Sequence, residues 1–175
     1  MTTNKFYNET ASLSVYVANL EEYVKGNLVG DWISLPIEES KFEEFLKTIG
    51  SPEEIAIHDY EDNSGIEGVE IGEYMSIKEL NELGERLESI NPDETYIVNA
   101  LYEAVEDLEQ ALSYYETGNY IYYGDMTLEE VAQEYIEETY DIPAGLENYI
   151  DYKAFARDMR YDNFYKTDYG VIYVA

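Results

Sequence analysis

The stretch Leu146-Glu147-Asn148-Tyr149-Ile150-Asp151-Tyr152-Lys153-Ala154-Phe155-Ala156-Arg157-Asp158-Met159 concentrates the information in this chain. Asp151 is placed to cap a helix whose first turn begins at Tyr152, and Phe155 and Met159 then recur at helical spacing. Leu146, Tyr149 and Ile150 supply the apolar surface that leads into it. Arg157 and Asp158 close the segment with a base and an acid on adjacent faces, and Arg157 is one of only 10 cations in the chain. The same residues also suit an ordinary amphipathic helix.

Working outward, Thr127-Leu128-Glu129-Glu130 offers a capping box upstream, opening a helix to about Thr139 with Leu128, Val131, Tyr135 and Ile136 inward. Pro143 and Gly145 then turn the chain into the opening segment. Tyr120 to Tyr123 suits a short strand, while Tyr161 to Thr167 and Val171 to Val174 read as a closing hairpin turning around Asp168-Tyr169-Gly170. Residues 117–175 are therefore expected to form a mixed α+β lobe containing the 146–159 motif.

The preceding region, 63–116, is expected to be a mainly helical middle lobe. Gly65, Gly68 and Gly72 mark a linker, and Ser76-Ile77-Lys78-Glu79 offers a second capping box, followed by the stripe Ile77, Leu80, Leu83, Leu87 and Ile90. Pro92 suits the first position of another helix, whose stripe Leu101, Val105, Leu108 and Leu112 has a candidate break between Glu103 and Asp107. Residues 12–62 read as an N-terminal α+β lobe. Leu13, Val15 and Val17 alternate with Ser14, Tyr16 and Ala18 as a strand, Gly26 to Gly30 as a turn, and Asp31 to Pro36 as a second strand. A helix from about Glu38 to Ile49 buries Phe42, Phe45, Leu46 and Ile49, and Ile55 to Tyr60 forms a third strand. Residues 1–11 are expected to be a flexible arm. The predicted fold class is α+β, three small lobes in series in an elongated molecule.

The 175 residues carry 39 acids and a net charge of -29, yet 45% of them are hydrophobic and 20 are Tyr, so a folded protein with an acidic surface is expected. The excess is spread along the chain, and such self-repulsion costs stability. Without Cys, disulfides and thiolate chemistry are excluded. The absence of a long apolar run and of a signal-like start leads to the expectation of a cytoplasmic protein. Phosphate backbones and anionic membranes should be repelled, so neither nucleic acid nor membrane is an expected partner.

An acidic enzyme is one alternative. Its only histidine, His58, sits in a predicted strand beside Asp59, whose side chain should point to the opposite face and so is poorly placed to orient the imidazole. No phosphate loop, nucleophile elbow or metalloprotease motif is present, and no cofactor is expected. An acidic calcium-binding module is a second alternative. Asp59, Glu61, Asn63 and Glu70 fall at loop positions one, three, five and twelve, but Ser64 holds the sixth position, with Gly65 one residue late, and a strand precedes the loop. No metal site is therefore assigned. As to the surface charge, duplex DNA carries one charge per roughly 1.7 Å, so 29 charges match about 50 Å of duplex. A compact chain of this length would be only roughly 40 Å across, which favours an elongated shape if charge copies phosphate spacing.

The 146–159 segment resembles the antirestriction motif of the ArdA family. The resemblance extends to Val15-Tyr16-Val17-Ala18-Asn19-Leu20, to Tyr23 with Gly26, Leu28, Gly30 and Trp32, to Ala56-Ile57-His58-Asp59-Tyr60, and to Tyr135-Ile136-Glu137-Glu138-Thr139. It is weak over Tyr74 to Arg86 and nearly absent over Asn91 to Gly124. It implies a small acidic protein carried by mobile DNA, a curved homodimer of three-lobed subunits that imitates bent duplex DNA. By the same resemblance it would inhibit Type I restriction-modification enzymes at the DNA groove of their methyltransferase and specificity core. In this reading the phosphate-mimicking acids include Asp31, Glu43, Glu44, Glu129, Glu130, Glu134, Glu137 and Glu138. Leu146, Tyr149, Ile150, Tyr152 and Phe155 would pack the third lobe or the subunit interface, in a motif completed by Asp151, Arg157 and Asp158.

Overall fold

The computed structural model describes residues 4–175 and divides the chain into two compact units, one running to Pro92 and the other from Asp93 to Ala175. Both mix helix with a three-stranded antiparallel sheet, so the fold is α+β.

The first unit contains β1 (Leu13–Asn19), α1 (Leu20–Val24), β2 (Gly30–Leu35), α2 (Glu39–Thr48), β3 (Ile55–Asp62) and α3 (Ile77–Ser89). Its sheet has the order β2-β1-β3. As the central strand, β1 is buried on both faces, which its apolar face (Leu13, Val15, Val17) and its small Ser14 and Ala18 allow. Asn19 ends the strand and caps α1: its amide oxygen accepts from the Glu22 N–H at 3.1 Å while its Nδ2 donates to the Ile49 carbonyl at 2.9 Å. This five-residue helix has no apolar stripe, and the sequence pattern predicts only the turn after it.

The capping box at Ser76 forms as expected, with the Glu79 N–H donating to Ser76 Oγ at 3.2 Å and the Ser76 N–H donating to Glu79 Oε2 at 2.9 Å. A Cβ on Gly84 would lie 3.1 Å from Leu35 Cβ and from Pro36 N, so glycine lets α3 approach the end of β2 closely. That packing puts α3 in the first unit, whereas the later helices of the region 63–116 belong to the second. Residues 1–3 of the expected flexible arm lie outside the described residues. Asn4 to Ala11 do not behave as an arm: Asn4 Nδ2 donates to the Trp32 carbonyl at 2.7 Å, the Ser34 N–H donates to the Phe6 carbonyl at 2.9 Å, and the Phe6 ring meets Phe45 edge-on.

The second unit contains α4 (Thr95–Val105), α5 (Leu108–Thr117), β4 (Tyr120–Gly124), α6 (Leu128–Thr139), α7 (Tyr152–Met159), β5 (Phe164–Thr167) and β6 (Gly170–Val174), with strand order β4-β6-β5. Period-two alternation on β6 builds two cores. Ile172 and Val174 pack with Ile97, Ala100, Leu101 and Ala111 of α4 and α5. Val171, with Tyr173 beside it, packs with Val131 and Ala132 of α6 and Ala156 and Met159 of α7. A sheet covered on both faces by helix pairs satisfies the need of each amphipathic element for a partner. The break between α4 and α5 falls at Glu106, which adopts φ 55°, and Asp107 then caps α5 through the Gln110 N–H at 2.9 Å. At the β5–β6 turn, Gly170 has φ +126° and a side chain there would run into the Gly124 carbonyl.

Candidate functional site

The first unit holds 20 acids against 6 bases and the second 19 against 4, net charges of -14 and -15. Neither unit is a neutral scaffold for the other. A dense array of acids lies on α6. At about 100° per residue, its buried positions Leu128, Val131, Ala132 and Ile136 occupy an arc of about 140°. Glu129, Glu130, Glu134, Glu137 and Glu138 fill the opposite half of the helix, and all five are exposed. From Glu129 to Glu138 the axis rises about 13.5 Å, one carboxylate every 3 Å or so.

These acids are not equivalent. Glu130 completes the capping box at Thr127, its Oε2 accepting from the Thr127 N–H at 2.7 Å and from the Thr127 hydroxyl at 2.8 Å, and these bonds, the backbone one foremost, lower its pKa. Glu137 accepts from Gln133 Nε2 at 2.8 Å. Glu134 and Glu138 lie close enough to Tyr123 that, after burial, their charges raise the pKa of its phenol. They therefore project a negative field over β4.

Among the other predicted acids, Asp31 and Glu43 are exposed, and the Asp31 charge adds to burial in raising the Tyr16 pKa. Glu44 is exposed but paired with Lys5 at 2.6 Å, which lowers its pKa. That pairing spans 39 residues and leaves no sequence signal.

The 146–159 segment divides physically in two. Asp151 Oδ1 accepts from the Ala154 N–H at 2.9 Å and caps α7. Phe155 stacks with Tyr135 at 6.0 Å, Ala156 and Met159 are buried, and Tyr152 is half-buried. Arg157 Nε pairs with its neighbour Asp158, at 3.1 Å, with both side chains mostly exposed. Upstream, Ile150 is half-buried, but Leu146 and Tyr149 are 52% and 84% exposed, so within the single chain these two side chains pack no core.

Two clefts were not foreseen. In the second unit, Tyr123, Tyr135, Tyr140, Phe155 and Tyr173 line a cavity of about 560 Å³ together with Glu138 and Asp162. In the first, Tyr23, His58, Asp59, Tyr60, Ile71 and Glu73 line one of about 500 Å³. The strand argument separating His58 from Asp59 fails here, because a β-bulge shifts the register: Tyr16 faces Asp59 and Val17 faces Ile57, leaving His58 unpaired. The doublets Ala56-Ile57 and His58-Asp59, which break the period-two pattern, were the available signal.

The calcium-loop spacing does not become a loop. Asp59 and Glu61 lie within β3, Asn63 Nδ2 donates to the Glu9 and Ala11 carbonyls, and Glu61 accepts from the Tyr7 hydroxyl at 2.6 Å. Among the described residues no group of three or more metal-ligating side chains comes together.

The family model for the antirestriction protein ArdA matches residues 15–173. The chain belongs to the ArdA family. A comparison with curated proteins gives no match. ArdA proteins are antirestriction proteins, inhibitors rather than enzymes, and restriction-modification systems are what they oppose. The ArdA match runs from within β1 to within β6 and includes all of α6 and α7, so the acidic helix and the capped motif helix described above belong to the family domain. No helix of this ArdA chain is long and apolar enough, among the described residues, to cross a membrane.

Proposed function

We propose that the chain inhibits Type I restriction-modification enzymes by occupying the DNA groove of their methyltransferase and specificity core, with surface carboxylates standing where phosphates would lie. The observation that carries this reading is the acidic half of α6. Five carboxylates along about 13.5 Å of axis approach the 3.4 Å charge spacing of a single DNA strand. A groove built from Lys and Arg to neutralise phosphates would meet them with complementary potential. Asp31 and Glu43 extend the contact surface on the first unit, and Glu44 joins it as the partner of Lys5.

The protein acts in this proposal as a homodimer in the cytoplasm, protecting incoming mobile DNA. Exposed Leu146 and Tyr149, with exposed Tyr140 nearby in sequence, support an apolar contact with a second copy. Asp151, Tyr152 and Phe155 hold α7 in place and so act through folding.

The test is a gel-shift competition. Increasing amounts of the protein should displace DNA from a purified Type I enzyme, with affinity falling as salt rises and with no turnover of either component. Retention of DNA by the enzyme at a large excess of folded protein would sink the proposal.

A further inference from the structure

The cleft around His58 has a composition unlike the open acidic surface. Its walls come from α1 (Tyr23), from β3 (Ile57, His58, Asp59, Tyr60) and from the segment after β3 (Ile71, Glu73). The Ile57 N–H donates to the Glu73 carbonyl at 2.8 Å, so that segment is tied to the strand's outer edge. The Tyr60 hydroxyl donates to the Val69 carbonyl at 3.4 Å. Tyr23 meets the His58 ring edge-on, with centroids 4.5 Å apart and planes at 72°, so the two rings form a corner.

The bulge is what assembles this corner. Had β3 kept regular pairing, His58 and Asp59 would have pointed to opposite faces. The extra residue breaks that alternation at His58, and residues Ile57 to Tyr60 border one cavity at the edge of the sheet. The cavity of about 500 Å³ falls inside the roughly 300–1,000 Å³ range of small-ligand sites. Its charged lining is Asp59 and Glu73, and its lining includes no Lys or Arg. Aromatic rings with flanking carboxylates attract organic cations through ring quadrupole and charge together, and a planar guanidinium also stacks on tyrosine.

We propose that this cleft is a receptor for an alkylguanidinium group, supplied by an arginine side chain of the restriction-modification enzyme. The source of the group rests on the function proposed above, while the cleft's affinity for guanidinium does not. The site gives a distributed electrostatic contact one place where aromatic rings and carboxylates meet the same side chain.

Because His58 is the only histidine, its imidazole C–H signals report the cleft alone in a proton NMR spectrum of the full chain. Ethylguanidinium chloride is titrated against sodium chloride at matched ionic strength. The expected result is a saturable shift with ethylguanidinium that sodium does not produce, lost in the double variant Tyr23→Ala, Asp59→Asn and kept in Glu134→Gln. In the gel-shift competition, the double variant should need at least about fivefold more protein than the parent to displace DNA. Amide spectra and thermal melts establish that each variant is folded. A linear shift, equal for both salts, overturns the guanidinium site whatever the competition shows. A saturable shift with unchanged displacement by the double variant overturns the enzyme's arginine as occupant. Wild-type protein that never displaces DNA refutes the Type I reading, and the occupant with it, even where the titration saturates.

Discussion

Replacing Glu129, Glu134, Glu137 and Glu138 together by Gln separates the two effects that surface charge has on this protein. Glu130 is spared because it completes the Thr127 capping box. An exposed ionic contact contributes about 0.2–1 kcal/mol, so four lost contacts weaken binding by about 2 kcal/mol, roughly thirtyfold in the concentration needed to displace DNA. The slope of log affinity against log salt should fall by up to about one per contact removed. Folding stability should move the other way. Glu130 with Glu134, Glu134 with Glu137, and Glu134 with Glu138 are like-charge pairs at helical spacings of three and four, each destabilising by about 0.2–0.5 kcal/mol. Glu137 and Glu138 also sit in the last turn, where the helix dipole disfavours anions, which offsets the loss of Glu129 from the first turn, where the dipole favours them. Gln keeps an acceptor for the Gln133 amide. The net expectation is a gain of about 1 kcal/mol, raising the melting temperature by roughly 2–4 °C. Gel-shift competition at several salt concentrations, beside thermal melts, reads both quantities. A variant that melts lower would refute the like-charge account of stability, and one that inhibits as well as the parent would refute the assignment of these acids to contact. So would a folded Glu134→Lys protein with no inhibition at all, since a distributed contact tolerates one reversal.

Other perturbations test the scaffold. Phe164→Ala empties a site where the ring meets Tyr123, Tyr135 and Tyr173, and should cost about 3–5 kcal/mol by urea denaturation. Asp151→Ala removes the cap of α7 and should cost about 1 kcal/mol, with Asp151→Asn recovering most of it. The Glu130 carboxyl has a folded pKa below the 4.5 of the free group, so its stabilisation is complete above about pH 4.5 and is lost as pH falls through the lower folded value. The stability gap between the parent and Glu130→Gln should therefore close on acidification, as followed by melts from pH 7 to pH 3. A gap constant across that range would mean the capping bond does not depend on ionisation. Leu146→Asp with Tyr149→Asp should leave the melting of dilute protein nearly unchanged while lowering the mass measured by light scattering at high concentration, as the proposed apolar contact between copies requires.

Features decided by neighbours in sequence were the legible ones. The capping boxes at Ser76 and Thr127 and the Asp151 cap depend on a side chain meeting a backbone group three residues away. The acidic half of α6 follows from the same helical period that buries Leu128 and Ile136. The closing hairpin is similarly local, with Thr167 and Gly170 setting its turn. What escaped was non-local or too short to be periodic. Helix α1 spans five residues, and only its cap, Asn19, announces it. Lys5 finds Glu44, and Asn4 finds Trp32, through tertiary packing that no spacing encodes. The division of the region 63–116 between units depends on Gly84 admitting β2 and on Ile172 receiving α4 and α5, neither of which is visible before the chain folds. The His58 cleft was half legible, since two apolar residues followed by two polar ones signalled a disturbed strand but not what the disturbance would gather.

The bond between Ser34 and Phe6 bears on how shortened forms of this protein would behave. Unpaired strand borders recruit other chains, and β2 is shielded on its outer side by the opening residues. Trimming residues 1–11 would bare that border, strip Phe6 from its seat on Phe45 and leave Lys5 unavailable to Glu44. Such a chain would clump through backbone pairing despite its anionic coat. Loss of inhibition on truncation would then measure depletion of free protein, so deletion mapping of the contact surface calls for a solubility control at every step.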